Sequence, residues 1–344
     1  MTVPAIRAEA ARLLAHFTSQ GAQPFETGIL QPAETLLDLY GEDIRARAYT
    51  TQDPQRGEMM LRPDFTVPLV QWHMENGADP ARYAYAGEVF RRQEDHPDRP
   101  TEYLQIGFEI FDGSDPAQAD AEAFATIRDA LGPLTPSTGD LGILTAAIDG
   151  LATTDARKQA LKRHIWRPAR FRALLARYSA ETPAREAIRS EAPLIGKRSA
   201  AEIDARHAAL AEEAQTPALT PQDRSTLDAI LALRDTSPAA LAALRHLANR
   251  TPHLAPAADR LEARLDALAA LGVDPTCLPF QTTFGRTLLE YYDGFVFGLA
   301  PGPGHQPVAT GGRYDALTRL LGRGRALPAV GGVIRPDLAL EAAR

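Results

Sequence analysis

Several short stretches of this sequence carry side chains whose types and spacing suit the capture of a small polar molecule. In MLRPDFTVP (60–68), Asp64 and Thr66 stand two residues apart. On an extended backbone they share a face, where a carboxylate and a hydroxyl can both accept hydrogen bonds from an ammonium group. The same pair would equally serve as caps for a helix over Val67–Glu75. In EYLQIGFEIF (102–111), Leu104, Ile106, Phe108 and Ile110 form one apolar face. Tyr103, Gln105, Gly107, Glu109 and Phe111 form the other, because side chains alternate along a strand. An amide, a gap and a carboxylate thus line up on one side. Arg91 follows AYAGEVF and offers a guanidinium fork for phosphate or carboxylate, or else a solvated edge. Tyr291 and Tyr292 are adjacent in LLEYYDGFVF, which reads as a strand with a phenol on each face. Core packing with a satisfied hydroxyl is the better reading for one of the two.

The elements around these residues fall into three zones. Residues 1–132 mix helical and strand-like patterns, with helix over 5–20, an extended piece to Gln31, helix again over 33–40, and strands at Met59–Leu61 and Tyr83–Arg91. AYAGEVFRRQ and EYLQIGFEIF read as a hairpin whose connection, RQEDHPDRP, is long and charged, as ligand-clamping loops are. Residues about 140–270 are rich in Ala, Leu, Arg and Glu at helical spacing, and repeated prolines cut them into short helices. Residues 278–344 return to the mixed pattern, with GGRYDALTRLLG as a turn followed by a helix and PAVGGVIRPDLALEAAR as a strand followed by a short helix. The expected architecture is one α/β (α+β) domain built from 1–132 and 278–344, split by a helical insertion over 140–270.

Composition narrows the function further. The chain has 344 residues and a formal net charge of −7, which argues against a general nucleic-acid binder. A single cysteine, Cys277, makes no internal disulfide. The first residues alternate apolar and charged, unlike a secretory leader, and no long apolar run suggests a membrane span. A cytoplasmic protein is expected. There is no GxxxxGK[ST] phosphate loop, no HExxH, no Cys/His cluster and no GxSxG elbow, so neither a metal nor a cofactor is expected.

Taken in order, the constellations resemble the catalytic core of class II aminoacyl-tRNA synthetases, and specifically histidyl-tRNA synthetase. LRPDFT (61–66) resembles that family's LRPE/D-x-T segment. Phe90-Arg91 resembles the start of its motif 2, and RPTEYLQIGFEIF its R-x-x-E-F-x-Q-x-G-x-E-x-F strand. LLEYYDGFVF is similar to its histidine-specific G-L-D-Y-Y segment, TGGRYDAL to A-G-G-R-Y-D, PAVGGVI to motif 3, and the Pro32 region to the dimer-forming motif 1. The resemblance implies an antiparallel sheet flanked by helices. It also implies a histidine pocket in which Asp64, Thr66 and Gln105 receive the α-ammonium and Arg91 faces the carboxylate. Glu109 and Tyr292, beside Tyr291, would address the imidazole, with Gly107 leaving room between Gln105 and Glu109.

Departures from the family pattern bear on activity. Where the histidine-specific segment has an arginine, this chain has Thr287, with Arg286 one place upstream. On a strand, that shift moves the side chain to the opposite face. Leu338 stands where motif 3 has its ATP-holding arginine, and Arg335-Pro336 replaces a glycine-leucine pair. An adenylating site needs fixed positive charge on the phosphates. No anticodon-binding domain is expected after Leu338. A synthetase core so altered resembles the regulatory subunit of ATP phosphoribosyltransferase, a histidyl-tRNA synthetase paralogue. That resemblance implies a chain without catalysis of its own. Its partner would be a short catalytic subunit in the first step of histidine biosynthesis, with histidine as feedback ligand, in a homodimer within a larger hetero-oligomer. A truncated ligase that adenylates an amino acid is the alternative.

Overall fold

The computed structural model describes residues 2–34, 48–93, 99–181, 199–286, 291–322 and 324–344. In chain order the opening elements are α1 (Val3–Ser19), β1 (Gln23–Pro24), β2 (Leu30–Pro32), β3 (Thr50–Asp53), β4 (Gly57–Leu61), α2 (Thr66–Asn76), β5 (Ala81–Phe90) and β6 (Glu102–Phe111). Then come α3 (Pro116–Leu131), β7 (Thr135–Asp140), α4 (Leu141–Asp149), α5 (Asp155–Arg163), α6 (Pro168–Tyr178), α7 (Ala200–Gln215), α8 (Pro221–Ala232), β8 (Arg234–Thr236), α9 (Ser237–Arg250) and α10 (Ala255–Ala270). The chain closes with β9 (Pro279–Gln281), β10 (Phe295–Ala300), β11 (Ala309–Arg313), α11 (Asp315–Leu321), β12 (Ala329–Ile334) and α12 (Pro336–Ala342).

One nine-stranded sheet runs β1-β5-β6-β12-β11-β10-β7-β9-β8, and β2, β4 and β3 form a small second sheet. The central strands pair antiparallel, with β6 between its hairpin partner β5 and the distant β12. The α/β class and the antiparallel sheet flanked by helices are as expected from the sequence. The apolar face of β6 packs beneath α1, where Phe17 stacks on Phe108 with ring centroids 5.2 Å apart. On the same side Arg82 of β5 reaches Glu122 of α3, and Phe124 of α3 meets Phe297 of β10 edge-on.

Four prolines of the helical stretch stand at helix starts. Pro168, Pro221, Pro238 and Pro256 each occupy a first-turn position, where the missing N–H costs nothing. That stretch is not purely helical, because β8 extends the sheet edge beside β9. Nor does it stand apart, because α10 packs along α3 and contributes Leu261, Leu265 and Leu268 to the core.

Several local expectations need correction. Pro32 ends β2 and the helix begins one residue later, while residues 35–40 lie outside the described residues. Gly311–Arg313 belong to β11 rather than to a turn. Tyr291 and Tyr292 lie in the turn before β10, not on a strand. The reason lies in the neighbouring Asp293, whose carboxylate accepts from the N–H groups of Asp315 and Ala316 at 3.0 and 2.6 Å. That capping of α11 draws the chain out of the sheet just before Gly294.

Candidate functional site

The face of β6 that carries Gln105 and Glu109 is shaped by its cross-strand neighbours. Register puts Gly87, Tyr85 and Tyr83 of β5 opposite Gln105, Gly107 and Glu109. On the other side Gly331 of β12 stands opposite Glu109, and Gly312 of β11 opposite Gly331. Paired residues share a face, so a row of glycines runs sideways from Glu109. These glycines are needed because side chains cross over them. A side chain at Gly331 would collide with the Glu109 carboxylate, and one at Gly312 would meet the Tyr292 ring at 2.8 Å.

Gly107 follows the same logic, with a result that differs from the expected gap. The Tyr85 ring lies directly over it, so the space between Gln105 and Glu109 is taken by a phenol. Phe65 stacks on that ring with centroids 4.4 Å apart and planes within 10°. Helix α2 closes the face from above. His73 stacks on Phe111 and its Nδ1 shares a 3.0 Å hydrogen bond with the Tyr83 hydroxyl.

Glu109 is the chemical centre of this face. It is 1 % exposed. Oε1 accepts from the Thr66 hydroxyl at 3.1 Å and the Tyr85 hydroxyl at 2.9 Å, and Oε2 accepts from the Tyr314 hydroxyl at 2.7 Å. Among the described residues no cationic side chain pairs with it. Burial therefore dominates and pushes the carboxyl up to about 7, against the three hydroxyls that favour the anion, while nearby Asp64 adds repulsion.

The other expected residues gather around it. Thr66 is the first residue of α2 rather than part of an extended segment. Asp64 accepts from the Val67 N–H at 3.3 Å, so it does help to start that helix. It also lies close enough to Tyr291 and Tyr292 to raise both phenols further, after the larger effect of burial. The Tyr291 ring sits edge-on to Tyr292 and to Tyr314, at 5.1 and 6.1 Å. Arg91 donates from Nε to the Pro63 carbonyl at 2.7 Å and lies within electrostatic reach of Tyr292. Gln105 is buried on the same face, and its amide makes no hydrogen bond to another described residue. All seven expected residues thus line one region of the sheet.

Tyr85 and Tyr314 were missed by the sequence reading, though they supply two of the three bonds to Glu109. Tyr85 was recoverable by aligning the hairpin, which sets it opposite Gly107. Tyr314 lies in the TGGRYDAL segment, but nothing local to that segment shows that its hydroxyl reaches Glu109 from beyond β11. The charged loop of the hairpin falls partly on residues 94–98, outside the described residues, as does Thr287.

Arg286 turns away from this face. Its Nε donates to the Ile165 carbonyl at 2.5 Å and its guanidinium lies over the Phe171 ring. Arg335 precedes α12, donates from Nε to Asp337 at 2.9 Å and lies 4.0 Å over the Tyr103 ring. Leu338 packs against the core. Among the described residues no group of three or more His, Cys, Asp or Glu side chains is placed to hold a metal ion, and no helix is long and apolar enough to cross a membrane.

Comparison with known proteins gives a consistent answer. The histidyl-tRNA synthetase family model matches residues 2–217 and 204–337. An ATP phosphoribosyltransferase regulatory subunit from Allorhizobium ampelinum is 36 % identical, over 94 % of each chain. One from Chelativorans sp. is 32 % identical with the same coverage. Among solved structures, an ATP phosphoribosyltransferase regulatory subunit/histidyl-tRNA synthetase from Bacillus halodurans has the same fold. It superposes with a TM-score of 0.71 at 22 % identity, over 99 % of this chain and 79 % of that one. A histidyl-tRNA synthetase from Nostoc sp. reaches a TM-score of 0.64 at 17 % identity, over 98 % and 70 % of the two chains.

Proposed function

The chain belongs to the ATP phosphoribosyltransferase regulatory subunit family, within the histidyl-tRNA synthetase-like fold, and on that premise we propose that it is a non-catalytic, histidine-responsive subunit. It acts in the cytoplasm, as a homodimer within a larger hetero-oligomer. There it is required by a short catalytic subunit for the first step of histidine biosynthesis. That step joins ATP and phosphoribosyl pyrophosphate into phosphoribosyl-ATP and releases pyrophosphate.

The observation that carries this reading is the contrast inside the site. A buried carboxylate ringed by hydroxyls sits beside Asp64 and Thr66, while Thr287 and Leu338 replace arginines of the synthetase pattern and the nearest arginines in sequence, Arg286 and Arg335, are engaged elsewhere. Arg286 is spent on Ile165 and Phe171, and Arg335 on Asp337 and Tyr103. In this reading Asp64, Thr66 and Gln105 hold the α-ammonium and Arg91 faces the carboxylate. An imidazole N–H takes the place of one hydroxyl donor on Glu109, with Tyr292 alongside. The site then recognises histidine without a means of activating it.

Two measurements test the proposal. Reconstitution with a short catalytic subunit should give phosphoribosyl-ATP formation that depends on this chain and falls when histidine is added. Calorimetry should show histidine binding to the chain or to its complex, and silence in both would remove the pocket from the account. Histidine-dependent exchange of pyrophosphate into ATP by the isolated chain would instead establish the adenylating-ligase alternative.

A further inference from the structure

The turn that carries Tyr291 and Tyr292 stands outside the strand ladders. Pairing of β10 with β11 begins at Val296 opposite Gly312, so both tyrosines precede it. Tyr292 is nonetheless 3 % exposed, with its ring against Gly312 and within electrostatic reach of Glu109 and Arg91. Two backbone bonds hold the far end of the turn. The Asp293 N–H donates to the Arg313 carbonyl at 3.0 Å, and the Gly294 carbonyl accepts from the Leu141 N–H at 2.9 Å. The side-chain tie is Asp293. Its Oδ1 accepts from the Asp315 N–H at 3.0 Å and its Oδ2 from the Ala316 N–H at 2.6 Å.

The other end of that tie is fixed independently. The Tyr314 N–H donates to the Ala329 carbonyl at 2.9 Å. Asp315 Oδ1 accepts from the Ala329 N–H at 2.9 Å and from Arg313 Nη1 at 3.0 Å. Tyr314 and Asp315 are thus pinned to β12, and Asp293 hangs the tyrosine turn on them. The residue type at 293 is informative. A cap alone would be served as well by Asn or Ser. Asp293 is half-buried, and burial together with Asp315 raises its carboxyl to about 7, so the charge is held there at a cost. What a carboxylate adds is a second acceptor oxygen. Asn offers one carbonyl oxygen and Ser one hydroxyl, so neither can take the two N–H groups on separate oxygens. Two bonds to one planar group fix orientation as well as distance.

We propose that Asp293 is a positioning residue for the histidine pocket, its two-oxygen clamp setting the phenol of Tyr292 at the imidazole end beside Glu109. This role rests on the histidine reading of the site. Asp293 touches no ligand itself and acts through the backbone of its neighbour. Because Tyr292 directly precedes it, a turn that pivots about one remaining bond swings the phenol, at the end of a long side chain, away from Glu109.

Titration calorimetry with histidine tests this, on the full chain and on its complex with the short catalytic subunit. Asp293→Asn, with Asp293→Ser as a second variant, should weaken binding about tenfold, the worth of one charge-assisted hydrogen bond. Asn and Ser remain good caps, so the urea midpoint of each variant should change little. In a Tyr292→Phe background, which lacks the phenol hydroxyl, Asp293→Asn should cost less than about twofold. Unchanged affinity in both variants overturns the positioning role and leaves the pocket in place. So does an equal loss in the Tyr292→Phe background, or a loss seen only together with a collapsed urea midpoint. Absence of histidine binding by the unmodified chain and by its complex removes the pocket itself, and the positioning role with it.

Discussion

The two faces of the central sheet both bury carboxylates and satisfy them in opposite ways. Beneath α3, Asp120 accepts from Arg264 and from Arg313, each at 2.9 Å, and Asp140 accepts from Arg264 at 2.7 Å. On the face under α2, Glu109 has three hydroxyls and no cation among the described residues. Charge-paired groups are locked, because removing either partner strands the other in a low-dielectric interior. A carboxyl held by hydroxyls keeps its proton equilibrium open and can exchange a donor for one on a ligand. The difference separates a structural tie, which fastens α10 and β11 to α3, from a carboxyl whose hydroxyl donors are exchangeable.

The largest effect expected from this contrast is on stability. Asp120→Ala leaves two buried guanidinium groups short of a partner and should cost about 3–5 kcal/mol. Glu109→Gln at neutral pH should cost less than about 1.5 kcal/mol, since an amide oxygen still accepts from the hydroxyls. Urea unfolding of the two variants measures the gap, and equal losses would break the comparison.

A pH titration sharpens it. The folded state raises Glu109 from an ordinary value of 4.5 to about 7, so it binds this proton more tightly than the unfolded chain does. Stability should therefore fall as pH rises through the interval between those values, by about 3 kcal/mol in total. Asp293, pushed up to about 7 by burial and by Asp315, acts in the same direction. The quantity to measure is thus the difference between the unmodified chain and Glu109→Gln, in which the Glu109 share of the fall should vanish.

The smallest effect belongs to Tyr314. Tyr314→Phe removes one donor to Glu109 and should cost about 1 kcal/mol. It should also move the midpoint of the pH-dependent fall upward, because that hydroxyl favours the ionised carboxyl. A midpoint that stays put or moves down would show that Tyr314 is not what steadies the anion.

Much of this was legible from residue order. Strand alternation in 102–111 placed Gln105 and Glu109 together on one face and Phe108 on the other, and the structure keeps that division. Prolines were read as cutting the long stretch into short helices, and Pro168, Pro221, Pro238 and Pro256 stand at helix starts. Asp64 and Thr66 were read as extended partners or as helix caps, and both uses survive in part. Asp64 engages the Val67 N–H while Thr66, on the helix, still reaches Glu109. The tyrosine pair was misplaced on a strand because its aromatic pattern outweighed the capping role of Asp293, which involves residues more than twenty positions later.

Alternation, turn chemistry and composition are local properties, so the sequence alone determined the strand faces and the α/β class. Which groups touch which was decided by tertiary structure. The Tyr85 ring over Gly107, the Tyr314 hydroxyl on Glu109 and the Asp120 tie to Arg264 and Arg313 all join residues brought together by strand register and helix packing. The same holds for the proton affinity of Glu109. A glutamate in sequence has an ordinary acidity, and only burial among hydroxyls without a cation raises it.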